Sequence, residues 1–277
     1  MQFKLFISDF DGTLSDGNVS PKPVADAIKE YQNNGGIFAL CTGRPTISAI
    51  KTMDECGINA DAIVSFQGAD VFINGEFGYR AGINSNLSAK IVKGLRENFK
   101  NNVCLFFNDK LYIEGENPFT NAYSDFYSKY GGKTIFVEDL AQFILEQNSY
   151  ASKIVVLKMP DEDVSKMYEY LEENFGDLVA VNSGASFIVE IISKEYTKYT
   201  ASEFLAKKFG VLESETITVG DSTNDLPLLK YGFGVAVGNA EEELKKIAKL
   251  VTVPVQEMPV KVLIDDILNG KIIKEEK

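Results

Sequence analysis

A short apolar run that ends in two aspartates is the feature that most constrains this chain. Residues 3–8 (FKLFIS) predict a buried strand, and Asp9 and Asp11 follow it, with Gly12 directly after them. Side chains two positions apart on an extended chain point to the same side, and Gly12 then lets the backbone turn away. Close carboxylates repel each other unless a cation or a proton separates them. The pair therefore indicates a metal site, a proton-transfer role or both, against the simpler alternative of a strand followed by an Asp-Gly turn.

The first part of the chain alternates between apolar strands and amphipathic helices. Residues 37–41 and 62–65 are apolar runs that predict two more buried strands. A helix start is predicted at Ser20-Pro21, and apolar residues follow it at helical spacing: Val24, Ala27, Ile28 and Tyr31. This alternation is typical of a parallel sheet with right-handed crossovers. It returns after residue 195, with a predicted helix over 197–209 and a predicted strand over 216–219.

The middle of the chain has a looser pattern. A hairpin is predicted around Asn74-Gly75, and short strands and helices follow without regular alternation. The elements predicted there are helices at 88–99, from 118 and at 161–174, and strands flanking 108–110 and at 154–157, 178–182 and 186–192. We therefore predict an α/β protein with a Rossmann-like parallel-sheet core over residues 1–82 and 192–277. An inserted α+β domain is predicted over 83–191.

Composition excludes several classes of function. The 277 residues contain no histidine, which rules out Ser-His-Asp and Cys-His catalysis. The three cysteines (Cys41, Cys56 and Cys104) form no CxxC pair, so we expect free thiols, no zinc site and a cytoplasmic location. Any bound metal should then be a hard cation with oxygen ligands, Mg²⁺ first. The net charge of −12 argues against a nucleic-acid partner. No apolar run has the length of a membrane span, and no signal peptide is expected.

Polar stretches follow three strands of the predicted parallel sheet, at residues 9–13, 42–44 and 220–225. Ligands bind open α/β sheets in the crevice at the carboxyl ends of the strands, so the three stretches should meet there. The carboxylates that they contribute are those of Asp9, Asp11, Asp221 and Asp225. So many close carboxylates require a cation, and Mg²⁺ binds one or two carboxylates together with a substrate phosphate oxygen. The arrangement outlines a phosphoryl-transfer site.

A phosphoryl group in transfer also needs hydrogen-bond donors and a positive charge, because negative charge spreads over its three oxygens. The Thr42 hydroxyl and the Gly43 N–H stand at a predicted helix start and are suitable donors. Lys198, early in the helix that follows the insert, could supply the charge, although a surface lysine is the ordinary case. We interpret Arg44 as structural or peripheral.

The order of these motifs carries a family resemblance. DFDGTL, a threonine at a strand end, a lysine and GDSTND resemble the haloacid dehalogenase superfamily of phosphatases, and GVAVGNA at 234–240 resembles its Cof-like sugar-phosphatase branch. That branch has an α/β cap between the second and third motifs. The resemblance covers residues 1–80 and 192–277, and the insert by position and coarse pattern. It implies a Mg²⁺-dependent phosphatase for a small phosphorylated metabolite, with the insert as a lid that selects the substrate.

The resemblance also implies roles for the acidic residues. Asp9 would be the nucleophile that forms an aspartyl-phosphate, and it would also bind Mg²⁺. Asp11 would protonate the leaving oxygen and later deprotonate the attacking water, while its backbone carbonyl binds the metal. Asp221 would be the third metal ligand.

The remaining motif residues would support binding. Thr42, Gly43 and Lys198 would hold the phosphoryl group, and Asn224 and Asp225 would hold metal-bound water and the lysine. Two alternatives use the same acidic pocket: a phosphomutase on this fold, and a phospho-accepting signalling module, whose chain would be far shorter. The sequence does not indicate an oligomeric state.

Overall fold

The structure, a computed structural model, describes residues 1–17, 21–99, 102–158, 164–183 and 188–272. Its strands are β1 (Leu5–Ser8), β2 (Ile37–Cys41), β3 (Ala62–Ser65), β4 (Asp70–Ile73), β5 (Glu76–Arg80), β6 (Ile83–Asn84), β7 (Asn102–Phe107), β8 (Lys110–Glu114), β9 (Lys133–Val137), β10 (Tyr150–Ala151), β11 (Lys153–Leu157), β12 (Val179–Ser183), β13 (Ile188–Ser193), β14 (Thr216–Gly220), β15 (Phe233–Ala236) and β16 (Leu250–Val251). Its helices are α1 (Lys22–Asn33), α2 (Thr46–Cys56), α3 (Ser85–Asn98), α4 (Pro118–Ser128), α5 (Leu140–Gln147), α6 (Ser165–Phe175), α7 (Lys198–Phe209), α8 (Leu226–Leu229), α9 (Glu242–Ile247) and α10 (Pro259–Leu268).

The first of two compact units is built from distant parts of the chain: Met1–Arg44, Ala49–Phe77 and Thr197–Lys277. Its sheet has the strand order β16-β15-β14-β1-β2-β3-β4-β5. The strands from β16 to β3 pair in parallel, and β4 pairs antiparallel with β3. The predicted α/β class with a parallel-sheet core is confirmed. The chain runs outward from β1 to β2 on one side, and its later part returns as β14 on the other, which creates a topological switch point beside β1.

Local sequence explains why β1 lies at the centre. All four of its residues are buried, as a strand covered on both faces requires. The predicted apolar stripe of α1 is confirmed, since Val24, Ala27, Ile28 and Tyr31 are its buried residues. The Tyr31 ring packs edge-on against Phe6 of β1, with the ring centroids 6.1 Å apart.

The second unit comprises Pro45–Ser48 and Gly78–Tyr196. It contains a mostly antiparallel sheet of strand order β12-β13-β11-β7-β8-β9 and a short ribbon of β10 and β6. Residues of α3, α5 and α6 form a buried core with the sheet, and Leu95, Ile144 and Leu171 are fully buried in it. The longer segment of the unit runs from Gly78 to Tyr196, whereas the predicted insert runs from 83 to 191.

Six of the described strands and helices were not predicted from sequence: the strands β6, β9, β10 and β16 and the helices α5 and α10. Among them, β9 and α5 are only five and eight residues long, and short apolar runs do not distinguish a strand from a helix by periodicity. The predicted helix at 161–174 is α6, and residues 161–163 lie outside the described part of the chain, as do the predicted helix start at Ser20 and strand residues 186–187. Among the described residues, every helix is too short or too polar to cross a membrane.

Candidate active site

The predicted site residues follow three neighbouring strands of the first unit. Asp9 follows β1, Thr42 follows β2 and Asp221 follows β14. The registers pair Ser8 with Val219 on one side and with Leu40 on the other, so the three strands end at the same level. The sequence positions are far apart, and the parallel sheet alone brings them to one edge.

Lys198 joins Asp9 to Asp225. Its Nζ donates to Asp9 Oδ1 at 2.7 Å and to Asp225 Oδ1 at 2.6 Å. Lys198 is 3% exposed and Asp225 is fully buried, so bulk solvent does not solvate either charged group. The lysine is the first residue of α7, which starts at Lys198 because Thr197 caps it by accepting from the Thr200 N–H. Lys207, a lysine later in the same helix, instead makes an exposed pair with Glu203 one helical turn earlier.

Asp225 organises the turn that follows β14. Its Oδ2 accepts from the backbone N–H groups of Asp221 and Ser222, at 3.0 and 3.2 Å. Both of its oxygens therefore have donors, one from the lysine and one from the turn. Asn224 lies beside it in the same single helical turn and is partly exposed. This contact set makes Asp225 a support for Lys198 and for the Asp221 backbone.

The acidic cluster of Asp9, Asp221 and Asp225 carries more negative charge than the single lysine beside it can balance. The pKa of Asp9 is raised to about 8, first by burial and then by Asp225, which together outweigh the lowering effect of Lys198. Burial and the charge of Asp225 also raise the pKa of Asp221 to about 6. Burial alone would lower the pKa of Lys198, but Asp225 and Asp9 raise it above the usual range for lysine. One charged lysine thus faces three carboxyl groups.

The donor set fits a hard divalent cation. Oxygen atoms of Asp9, Asp221 and Asp225 lie within 4.8 Å of one another. Since Asp225 already accepts from the lysine and from two backbone N–H groups, Asp9 and Asp221 are the carboxylates left to bind a metal. Carboxylate oxygens are the ligands that Mg²⁺ prefers, and two of them are the usual number in a Mg²⁺ site that also binds phosphate. Metal binding by the Asp11 carbonyl stays a prediction.

Gly12 and Thr13 hold the Asp221 carboxylate. Thr13 Oγ1 donates to Asp221 Oδ1 at 3.0 Å, and Gly12 lies so close that a Cβ there would be 2.4 Å from Asp221 Oδ2. The φ of Gly12 is +81°, in the left-handed region that favours glycine. Asn239 Nδ2 donates to the Gly12 carbonyl at 2.8 Å, and its Oδ1 accepts from the Val255 N–H. The turn after Asp11 is therefore fixed from two sides.

Substituting Gly12 by alanine should weaken metal binding more than it weakens the fold. The new methyl group would push the Asp221 carboxylate aside, and the positive φ adds roughly 1–3 kcal/mol of backbone strain. Gly35→Ala is the matched control, since Gly35 has φ +84° and open space where its Cβ would be. We expect both variants to lose similar thermal stability, and only Gly12→Ala to need higher Mg²⁺ in a stability titration. Equal Mg²⁺ requirements would contradict this prediction.

The other predicted residues have distinct surroundings. Thr42 is 1% exposed, and its Oγ1 accepts from the Arg44 N–H at 3.2 Å in a local turn. The predicted helix start at Thr42 and Gly43 is wrong, because α2 begins only at Thr46. Gly43 packs against Gln67, whose Nε2 would be 2.6 Å from a Cβ on that glycine. The Asp11 carboxylate pairs with Arg44 and lies outside the acidic group that could hold a metal.

Sequence reasoning missed two contacts of this site. Thr13 was not singled out, although it follows Gly12 in the first motif and hydrogen-bonds Asp221 from 208 residues away. Arg44 is interpreted from the sequence as structural or peripheral, and its contact with Asp11 through the guanidinium was not predicted. The signal for Arg44 was its position two residues after Thr42, at a strand end that was already predicted to face the crevice. Cys41, at the end of β2, has a thiol pKa raised well above its usual range by burial, so it is a neutral thiol.

Comparisons with known proteins place most of the chain in one family by sequence and find the same fold in solved structures. A family model described as haloacid dehalogenase-like hydrolase matches residues 6–264. A Haemophilus influenzae protein provisionally named a phosphatase is 29% identical over 264 residues, which cover 91% of this chain and 93% of that protein. A Thermotoga maritima crystal structure has a TM-score of 0.81 at 21% identity, over 99% of this chain and 98% of that one. A haloacid dehalogenase subclass IIB sugar phosphatase has a TM-score of 0.75 at 19% identity, over 97% and 100%.

Proposed function

Because this chain belongs to the family of haloacid dehalogenase-like hydrolases, we propose that it is a Mg²⁺-dependent phosphatase of a small phosphorylated metabolite. The observation that carries the proposal is the buried contact of Asp9 with Lys198 at the end of the central strand. A buried carboxylate held beside a cation is a suitable nucleophile for a phosphoryl group, which also needs a positive charge. Asp221 stands at the neighbouring strand end, where it would hold the metal with Asp9.

The catalytic roles follow from the chemistry of each side chain. Asp9 Oδ attacks phosphorus, the bond from phosphorus to the ester oxygen breaks, and an aspartyl-phosphate forms. Asp11 gives its proton to the departing ester oxygen and then takes a proton from the water that attacks the aspartyl-phosphate. Lys198 balances the charge of the phosphoryl oxygens, and Thr42 and Gly43 donate to them. Mg²⁺, when bound by Asp9 and Asp221, supplies charge that offsets repulsion between the carboxylate and the phosphate.

We propose the substrate class by analogy with a solved relative. We also propose that the second unit selects the substrate. The solved subclass IIB relative is described as a sugar phosphatase, which favours a sugar phosphate or a similar small ester. Every residue with a proposed catalytic role belongs to the first unit. We propose that the second unit corresponds to the cap of the Cof-like branch and that it contributes the side chains that discriminate between esters.

A phosphate-release assay across sugar, nucleotide and cofactor phosphates tests the proposal. We expect Mg²⁺-dependent turnover of at least one small ester, and no release when Mg²⁺ is chelated. The products separate the alternatives, because a phosphomutase would yield an isomerised sugar phosphate without net phosphate. A phospho-accepting signalling module would take up one phosphoryl group per chain and stop. Wild-type protein that releases phosphate from none of the esters would overturn the proposed function.

A further inference from the structure

The Asp11 carboxylate is held by both edges of an arginine fork. Arg44 Nε donates to Asp11 Oδ2 at 2.8 Å, and Arg44 Nη2 donates to Asp11 Oδ1 at 2.6 Å. This two-bond geometry matches the planar guanidinium to the planar carboxylate, and it fixes the direction of the carboxylate as well as its position. A lysine at the same place would fix the direction of the carboxylate less well, because its ammonium is a point charge on a flexible stem.

The guanidinium is itself fixed by groups that do not include Asp11. Arg44 Nη1 donates to Thr52 Oγ1 at 2.7 Å, and Thr52 is a buried residue of α2. The guanidinium carbon lies 4.6 Å from the centre of the Phe10 ring, within the range of a cation–π contact. The Arg44 carbonyl accepts from the Phe66 N–H at 3.0 Å, which ties the arginine backbone to the turn after β3. The Arg44 guanidinium is therefore held in its orientation by contacts other than the one with Asp11.

A structural salt bridge is the competing interpretation. The side chains of Arg44 and Asp11 are 25% and 61% exposed, and exposed ion pairs contribute little to stability. A salt bridge that only adds stability at a surface does not require its arginine to be oriented by a buried hydroxyl and an aromatic ring. Here the oriented guanidinium of Arg44 contacts Asp11, the residue to which we assign proton transfer. The geometry therefore favours a role in the reaction.

We propose that Arg44 is a positioning residue for Asp11 that determines how well the enzyme expels poor leaving groups. The proposal rests on the proposed phosphatase function. When Asp11 transfers its proton to the departing ester oxygen, it becomes a carboxylate, and the fixed guanidinium stabilises that charge through both hydrogen bonds. An ester whose leaving group is a weak acid needs this proton most. An aryl ester, whose leaving group departs as a stable anion, needs it least.

The test compares two substrates and four enzymes. Values of kcat/KM are measured for glycerol phosphate, an alkyl ester, and for p-nitrophenyl phosphate, an aryl ester, with wild type, Arg44→Ala, Asp11→Asn and the double variant. We expect Arg44→Ala to lower the alkyl-to-aryl ratio about tenfold or more, in the same direction as Asp11→Asn. The double variant should show the ratio of Asp11→Asn alone, because Arg44 acts through Asp11.

Two further variants keep the test decisive. Arg44→Lys retains the charge without the fork, so it should fold if Arg44→Ala does not, and its ratio should fall between those of wild type and Arg44→Ala. Arg96→Lys is the matched control, because Arg96 makes a comparable pair with Asp139 in the second unit and has no proposed catalytic role. We expect its ratio to equal that of wild type.

The outcomes separate this proposal from the proposed function. Equal losses on both esters in the Arg44 variants, or effects of Arg44→Ala and Asp11→Asn that multiply in the double variant, would show a merely structural role and overturn the inference. Wild type inactive on both of these esters and on the wider panel would overturn the phosphatase function, and the inference with it.

Discussion

Replacement of Asp9 by asparagine should abolish phosphate release, with a loss of about four orders of magnitude or more. The amide cannot attack phosphorus, so no aspartyl-phosphate forms, whereas a substrate-binding residue would reduce the rate much less. The variant should remain folded, because the asparagine side chain has the same shape and can still accept from Lys198 Nζ, which Asp9 Oδ1 does now at 2.7 Å. The measurements are phosphate release, and acid-quench trapping of protein-bound phosphate from labelled substrate.

The control for Asp9→Asn is Asp26→Asn, which removes an exposed carboxylate of α1 that pairs with Lys22. We expect Asp26→Asn to release phosphate at the wild-type rate and to trap the same amount of labelled phosphate. Full activity in Asp9→Asn would refute the aspartyl-phosphate mechanism. Activity loss with undiminished trapping would assign the phosphorylated residue elsewhere.

The metal-free protein should become less stable as pH rises from about 4 to 8. The folded-state pKa values of Asp9 and Asp221, about 8 and about 6, lie above the ordinary carboxyl value of 3.8. Between those limits the folded chain binds more protons than the unfolded chain, so the free energy of unfolding falls with rising pH. Each pKa unit corresponds to about 1.4 kcal/mol, which makes the expected loss several kcal/mol. Asp139, with a pKa lowered to about 2, acts in the opposite direction but below this range.

Magnesium should remove most of that pH dependence. A cation bound by Asp9 and Asp221 favours their ionised forms and competes with protons, so added Mg²⁺ should stabilise the protein most at pH 8 and least at pH 5. Urea unfolding at several pH values, with and without Mg²⁺, measures both effects. Asp9→Asn serves as the internal comparison, since it should be more stable than wild type at pH 8 without metal. A stability that rises from pH 5 to pH 8 in the absence of metal would contradict the charge balance described here.

Much of the first unit could be predicted from the residues because its signals are local. A run such as FKLFIS identifies a buried strand by itself, and the alternation with helices then restricts the sheet to a parallel one. Once Asp9, Thr42 and Asp221 were placed at strand ends, the topology rule required them to meet. Lys198 was selected among several lysines by the family resemblance, because it lies early in the helix after the insert, and its contacts with Asp9 and Asp225 agree with that choice.

The features that could not be predicted depend on side-chain direction or on short elements. The spacing of Asp9 and Asp11 suggested two carboxylates that point together, but Gly12 begins a turn and the Asp11 carboxylate pairs with Arg44. No sequence periodicity predicts that Asp11 pairs with Arg44, because the pairing depends on the contacts of the guanidinium with Thr52 and Phe10. In the second unit, β9 and α5 are too short for their periodicity to identify them.

The interleaved origin of the first unit has a consequence for the order in which the molecule is made. Asp9 and Lys198 are 189 residues apart, and Thr13 and Asp221 are 208 apart. Strand β1 leaves the ribosome early, but its neighbour β14 and the lysine that pairs with Asp9 emerge only after the whole second unit. Contacts of such long range close late and form slowly. Asp9 therefore gains its cationic partner only after Lys198 has been synthesised, so chains that end before residue 198 lack this contact.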